Sequence, residues 1–162
     1  MTEKQNISEF IRLLRKGPQA QATIKGSEVY PDIDGRMNFY QADNGVLVIV
    51  EVYGLPRGDG KCGSPIFAFH IHDGSSCRGG STDPFLNAMS HYNPYGCIHP
   101  YHAGDLPPLF GNDGYAFSAF LTNRFSVREI VGKTVIIHSE PDDFTSQPSG
   151  NSGEKIACGQ IK

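Results

Sequence analysis

Phe67-Ala68-Phe69-His70-Ile71-His72 decides how this chain folds and where its chemistry lies. The run is short, apolar and aromatic, the composition of a buried strand. A strand sends residues i and i+2 to the same face, so His70 and His72 project together from one side of a sheet. Two adjacent imidazoles make half of a metal site. Downstream come His91, His99, His102 and Asp105, in a stretch broken by Pro94, Gly96, Pro100 and Gly104. Those breakers exclude a regular period, so three more imidazoles and a carboxylate can converge from loops. Imidazole with carboxylate suits zinc and copper.

Around this stretch, short runs of β-branched and aromatic residues alternate with turns. The strand candidates are 20–26, 35–41, 46–53, 66–72, 109–110, 115–121, 133–138 and 155–161. Asp43-Asn44-Gly45 predicts a hairpin, because Asn and Gly both tolerate positive φ, and Gly111-Asn112-Asp113-Gly114 predicts a second. With Gly 19 and Pro 11 among 162 residues, the expectation is one all-β domain closed as a sandwich or barrel. Ahead of the strands, Ile7, Phe10, Ile11 and Leu14 recur at helical spacing, with Asn6 as N-cap, Glu9 three residues on and Gly17-Pro18 as a stop. One short amphipathic helix is expected there, in an N-terminal extension of residues 1–17 preceding a domain of residues 18–162. Its apolar stripe is expected to cover one side of the domain; the sharper reading is a contact for a second copy or a partner.

A net charge of -3 without a basic run argues against nucleic acid. Ser8, Glu9 and Arg12 interrupt the first apolar residues, so no secretory signal is read there, and no stretch approaches a membrane span. The expectation is a cytoplasmic protein as written, exported if its signal lies outside this sequence. Four cysteines are too few for a disulfide-stapled scaffold.

The sixth histidine, His138, ends the run Thr134-Val135-Ile136-Ile137 and is followed by Ser139-Glu140-Pro141-Asp142-Asp143. Scattered surface histidines would need neither the His70/His72 pair nor the packed order His91, His99, His102, Asp105. Six imidazoles and one carboxylate exceed one tetrahedral centre. Two neighbouring ions sharing a ligand is the economical arrangement.

The chain resembles the copper/zinc superoxide dismutases. The resemblance spans Ala20 to Ile161 and rests on Phe69-His70-Ile71-His72, His91-Tyr92-Asn93-Pro94, His102-Ala103-Gly104-Asp105-Leu106-Pro107, Val135-Ile136-Ile137-His138 with Pro141-Asp142-Asp143, and Gly150-Asn151-Ser152-Gly153-Glu154-Lys155-Ile156-Ala157-Cys158-Gly159. It implies an eight-stranded Greek-key β-barrel, an immunoglobulin-like sandwich, with long metal-binding loops outside it. It also implies copper held by His70, His72, His91 and His138, zinc held by His91, His99, His102 and Asp105, and His91 bridging the two. Asp142 would orient one ligand of each metal. Cys77 and Cys158 match the family's disulfide, against the alternative of two reduced thiols. Cys62 and Cys97 have no counterpart; they could pair, Cys97 could compete as a soft ligand, or both are bystanders. The implied activity is superoxide dismutation by alternate reduction and reoxidation of copper, with His91 storing a proton and zinc ordering the site.

The chain departs from the family in three respects. Only Pro100 and Tyr101 separate His99 from His102, a shorter segment than is usual, so zinc affinity is the carry-over most exposed to change. The substrate-guiding arginine falls at Lys155, which keeps the charge but lacks the planar fork that docks an anion. Bacterial members are usually exported, and no export signal is read here. These departures keep a second reading open, a copper/zinc-binding module on the same barrel that stores or delivers metal with little turnover. A homodimer also stays open, since dimers are common in the family while their surfaces differ.

Overall fold

Alternating residues in one strand and a β-branched apolar run in another build the first sheet. In β1 (Ala20–Gly26), Ala20, Ala22 and Ile24 point inward while Gln21, Thr23 and Lys25 face water. In β3 (Gly45–Tyr53), Val46, Val48, Val50 and Val52 are all buried. The computed structural model describes residues 7–60, 62–63 and 65–162. Between β1 and β3 runs β2 (Asp34–Ala42), and after them β4 (Ile66–Phe67), β5 (Phe69–His72), β6 (Leu109–Phe110), β7 (Ala116–Thr122), β8 (Thr134–His138) and β9 (Lys155–Gln160). Seven strands form one antiparallel sheet in the order β5-β8-β9-β1-β2-β3-β7, and β4 pairs with β6. The β3-to-β4 and β7-to-β8 connections cross between distant strands, as a Greek key requires. The sheet curls around a core that includes Ile24, Met37, Phe39, Phe67, Phe69 and Ile137, in keeping with the expected barrel.

The expected fourth strand is divided at Ala68. Its N–H donates to the Glu140 carbonyl at 2.8 Å and its own carbonyl accepts from the His138 N–H at 2.9 Å. β4 can then turn to β6 while β5 stays on β8, so one run serves both sheets. The first hairpin sits one residue earlier than expected: Ala42 pairs with Gly45, leaving Asp43-Asn44 as the turn. Gly45 has φ +150, and a Cβ on it would lie 2.5 Å from the Thr122 carbonyl oxygen. The second turn is as read, with Asp113 and Gly114 both at positive φ between bridged Asn112 and Tyr115, the type I′ signature.

Helix α1 (Ile7–Lys16) ends at Gly17, whose φ is +84 and whose N–H returns to the Leu14 carbonyl. Asn6, the expected N-cap, lies outside the described residues. Of the expected stripe only Phe10 is partly buried, next to Leu13, which lay off it, whereas Ile7, Ile11 and Leu14 remain 76%, 47% and 40% exposed. A one-turn helix α2 (Val127–Ile130), not expected from the sequence, starts where the Glu129 carboxylate accepts from both the Ser126 N–H and hydroxyl.

β5 and β8 differ from the other strands in being buried along their whole length. Their inner face, Phe69, Ile71, Val135 and Ile137, belongs to the core. The opposite face carries His70, His72 and Ile136, and Ile136 packs with Phe85, Ala88 and Cys158 in a second apolar cluster. Loops laid over this outer face make the metal site.

A candidate metal centre with two ligand groups

Pairing in the sheet aims the histidines. His70 lies opposite Ile136 and His72 opposite Thr134, so both rings leave the barrel on its loop-covered side. At the end of β8, His138 shares the face of Ile136 and its N–H donates to the Ala68 carbonyl, so its ring joins theirs, while a register shift against β9 skips Ile156 there. Two isolated bridges, His72 with His91 and His70 with Asp105, dock the loop onto the edge of β5. The result is two groups of potential ligand atoms, each within 4.8 Å of one another: His70, His72, His91 and His138, and then His91, His99, His102 and Asp105. All seven residues are buried, and His91 belongs to both groups. These are the residues that the sequence assigned to copper and to zinc.

Hydrogen bonds at the far side of each ring fix which nitrogen faces inward. His72 Nδ1 donates to the Met89 carbonyl at 2.7 Å and His138 Nδ1 to the Gly153 carbonyl at 3.4 Å. A carbonyl only accepts, so both Nε2 atoms carry lone pairs, and they face one another at 3.3 Å. Asp142 does the same for one ring of each group, its Oδ2 accepting from His70 Nε2 and its Oδ1 from His99 Nε2, both at 2.8 Å. This leaves His70 Nδ1 and His99 Nδ1 buried without a hydrogen-bond partner, together with His91 Nε2. In the second group, His102 Nδ1 lies 3.4 Å from His91 Nδ1, and His99 Nδ1 and His102 Nδ1 lie 3.2 and 3.3 Å from Asp105 Oδ2. Ligands 2.0–2.1 Å from a shared tetrahedral ion stand about 3.3 Å apart. Lone pairs at that spacing repel unless a cation lies between them, so the donor set fits a metal pair.

Burial keeps His70, His72 and His138 neutral. Desolvation lowers the pKa of His70, sends that of His72 well below its usual value and brings that of His138 to about 3. Asp142 stays ionised: burial raises its pKa, but hydrogen bonds from His70, the Phe144 N–H and His99 outweigh this and hold it at about 2. The same opposition, burial against the His91 hydrogen bond and the neighbouring imidazoles, leaves the pKa of Asp105 lowered.

The short segment between His99 and His102 is held by residues that sequence reasoning missed. One guanidinium nitrogen of Arg124, just past β7, donates to the carbonyls of Pro100, His102 and Asp105 at 3.0, 3.2 and 3.2 Å. The Gln147 side chain pairs with the His99 backbone through two bonds, 3.0 and 2.8 Å. The His102 N–H donates to Asp105 Oδ2 at 2.9 Å. Over Asp142 the following loop closes tightly at Gly150, φ +71, where a Cβ would fall on Asp142 Oδ1 and lie 2.7 Å from His99 Nε2.

Cys77 and Cys158 are joined in a disulfide. Cys62 and Cys97 are free and exposed, and Cys97 belongs to neither ligand group; its backbone is bracketed by the Asn93 side chain. A cavity of about 510 Å³ opens onto His72, His91 and His138, and Asp83, Glu154 and Lys155 also line it. Lys155 does not stand free there: its Nζ donates to Asp83 Oδ2 at 2.7 Å and to the Phe85 carbonyl at 3.3 Å. No helix among the described residues is long and apolar enough to cross a membrane.

A Greek-key barrel with two buried ligand groups sharing one histidine defines a binuclear metalloprotein. The chain belongs to the copper/zinc superoxide dismutase family, whose model matches residues 33–161. It is 32% identical to "Superoxide dismutase [Cu-Zn] 2" of Aquifex aeolicus over 81% of this chain and 80% of that protein. It is also 32% identical to "Superoxide dismutase [Cu-Zn]" of Deinococcus radiodurans, over 78% of this chain and 76% of that protein, and 33% identical to that of Escherichia coli, over 79% and 78%. The two groups fit the copper and zinc of that family.

Proposed function

We propose that this chain is an oxidoreductase that dismutes superoxide to dioxygen and hydrogen peroxide. His70, His72, His91 and His138 would hold copper, and His91, His99, His102 and Asp105 would hold zinc. Copper would supply one-electron redox chemistry and zinc a redox-inert charge. The observation that carries the reading is His91. Its Nδ1 lies 2.7 Å from Asp105 in the second group, while its buried Nε2 has no hydrogen-bond partner and is left for the first. An imidazole placed in this way can hold a proton at Nε2 and give it to the departing product, the second proton coming from solvent. Asp142 orients both groups by accepting from His70 and His99, and Lys155 contributes a positive charge to the cavity wall.

The open cavity over His72, His91 and His138 supports turnover rather than storage, since a storage module needs no path for a small anion. The disulfide supports an oxidising compartment, and so the exported alternative to a cytoplasmic location. A homodimer remains the assembly to test, by sedimentation. The deciding experiment is metal content per chain together with inhibition of superoxide-driven dye reduction on the same sample. Protein carrying both metals yet lacking inhibition would overturn the reading.

A further inference from the structure

Lys155 is the one fixed cation among the described residues lining the cavity, against Asp83 and Glu154, so the side chains there sum to a negative charge. Asp83 is built to meet it. Its Oδ1 accepts from the Phe85 N–H at 2.9 Å, a local turn across Pro84 that fixes the carboxylate and leaves Oδ2 for Lys155. Phe85 then offers its carbonyl to the same ammonium. The loop carrying both residues is tied by Cys77 to Cys158 on β9, the strand that begins with Lys155. The two side chains are 15% and 30% exposed, so the pair is partly shielded from water.

We propose that Asp83 is a positioning residue that holds Lys155 against the loop and offsets its charge, so that the Asp83–Lys155 pair sets how strongly the cavity attracts an anion. The inference rests on the dismutase reading and specifies its substrate capture. Opposite charges in contact act on a third charge as a dipole, whose pull fades faster with distance than that of a lone cation. A single uncompensated charge about 7 Å from an anion changes its local concentration about threefold in a water-like dielectric.

The test is a titration of the copper- and zinc-loaded protein with azide, a small monovalent anion, followed by the copper visible absorption at several salt concentrations. Asp83→Asn should tighten azide binding about threefold at low salt, with the gain shrinking as salt rises. Lys155→Gln should weaken it by a similar factor, with the loss shrinking as salt rises. The superoxide rate constant should move in the same directions. Asp83→Ser removes the same charge and carries the same expectation should Asp83→Asn fold poorly. Azide affinity and salt slope unchanged in both Asp83 variants would overturn the proposal. Because azide reports anion capture whether or not superoxide is turned over, a protein that binds azide as expected but does not dismute would defeat the dismutase reading alone.

Discussion

His72 and His138 turn their Nε2 atoms toward each other across 3.3 Å, each with its Nδ1 committed to a backbone carbonyl. Neither atom can satisfy the other, so the contact makes sense only around a cation. His138→Ala should therefore abolish dismutation and lower copper content, while the second group, which does not use His138, still takes zinc. Elemental analysis beside the dye-reduction assay checks both halves. Loss of both metals in parallel would mean that the groups do not fill separately.

Acid should destabilise the metal-free protein through the same rings. Folded His138 protonates near pH 3 and His72 well below its usual value, whereas both titrate near 6.5 when unfolded. Between those limits the unfolded chain binds more protons, so stability falls as pH drops from about 6.5 toward 3. His138 alone contributes roughly 3 kcal/mol of that loss between pH 7 and pH 4. Asp142, held at about 2, adds a further loss once its unfolded value near 4 is passed. Urea melts at stepped pH would show the midpoint sinking; a flat profile between pH 7 and 4 would contradict the buried neutral rings.

Asp142→Ala should weaken both metals at once. Partners that orient metal-bound histidines are typically worth 10–100-fold in affinity, and this carboxylate orients His70 and His99 together. Competition with a chromophoric chelator, run separately for copper and zinc, measures each loss. A change confined to one metal would show that the other ring is held by something else.

Arg124→Ala should lower zinc affinity about tenfold with a smaller effect on copper, because three carbonyls of the 100–105 segment lose one charged donor. Faster amide exchange across that segment should accompany it. Arg124→Lys should recover only part, since a point charge replaces a planar donor.

Cys158→Ser opens a cross-link between residues 81 apart, for which chain entropy gives a loss of about 4 kcal/mol. In a chain of this size that is a fall in melting temperature of about 10 °C. Calorimetry of the metal-free protein, with a thiol count confirming the opened bridge, provides the measurement.

The two candidate ligand groups were legible because imidazoles are rare and their spacing is local: i, i+2 on a strand, then short steps between loop breakers. The strands were legible from runs of β-branched and aromatic residues between turns, as at Val46 to Val52. The break at Ala68 was not, because it is made by backbone partners at His138 and Glu140, about seventy residues away. Asp83, Arg124 and Gln147 were missed for a related reason. Each acts on backbone or charge far along the chain, and no period marks such a residue. Ser126 and Glu129 carried a readable capping signal, but four helical residues leave no apolar repeat to draw attention to it. The largely exposed stripe of α1 shows that periodicity tells which residues share a face without telling what covers it.

Gly150 gives the loop over Asp142 its closest approach. The oxygen that a methyl group would displace there belongs to the carboxylate that steadies His99 with one arm and His70 with the other. A single hydrogen, kept where any other amino acid would bring carbon, is thus the clearance on which redox-active and inert halves both depend, and neither could be disturbed at that point without the other.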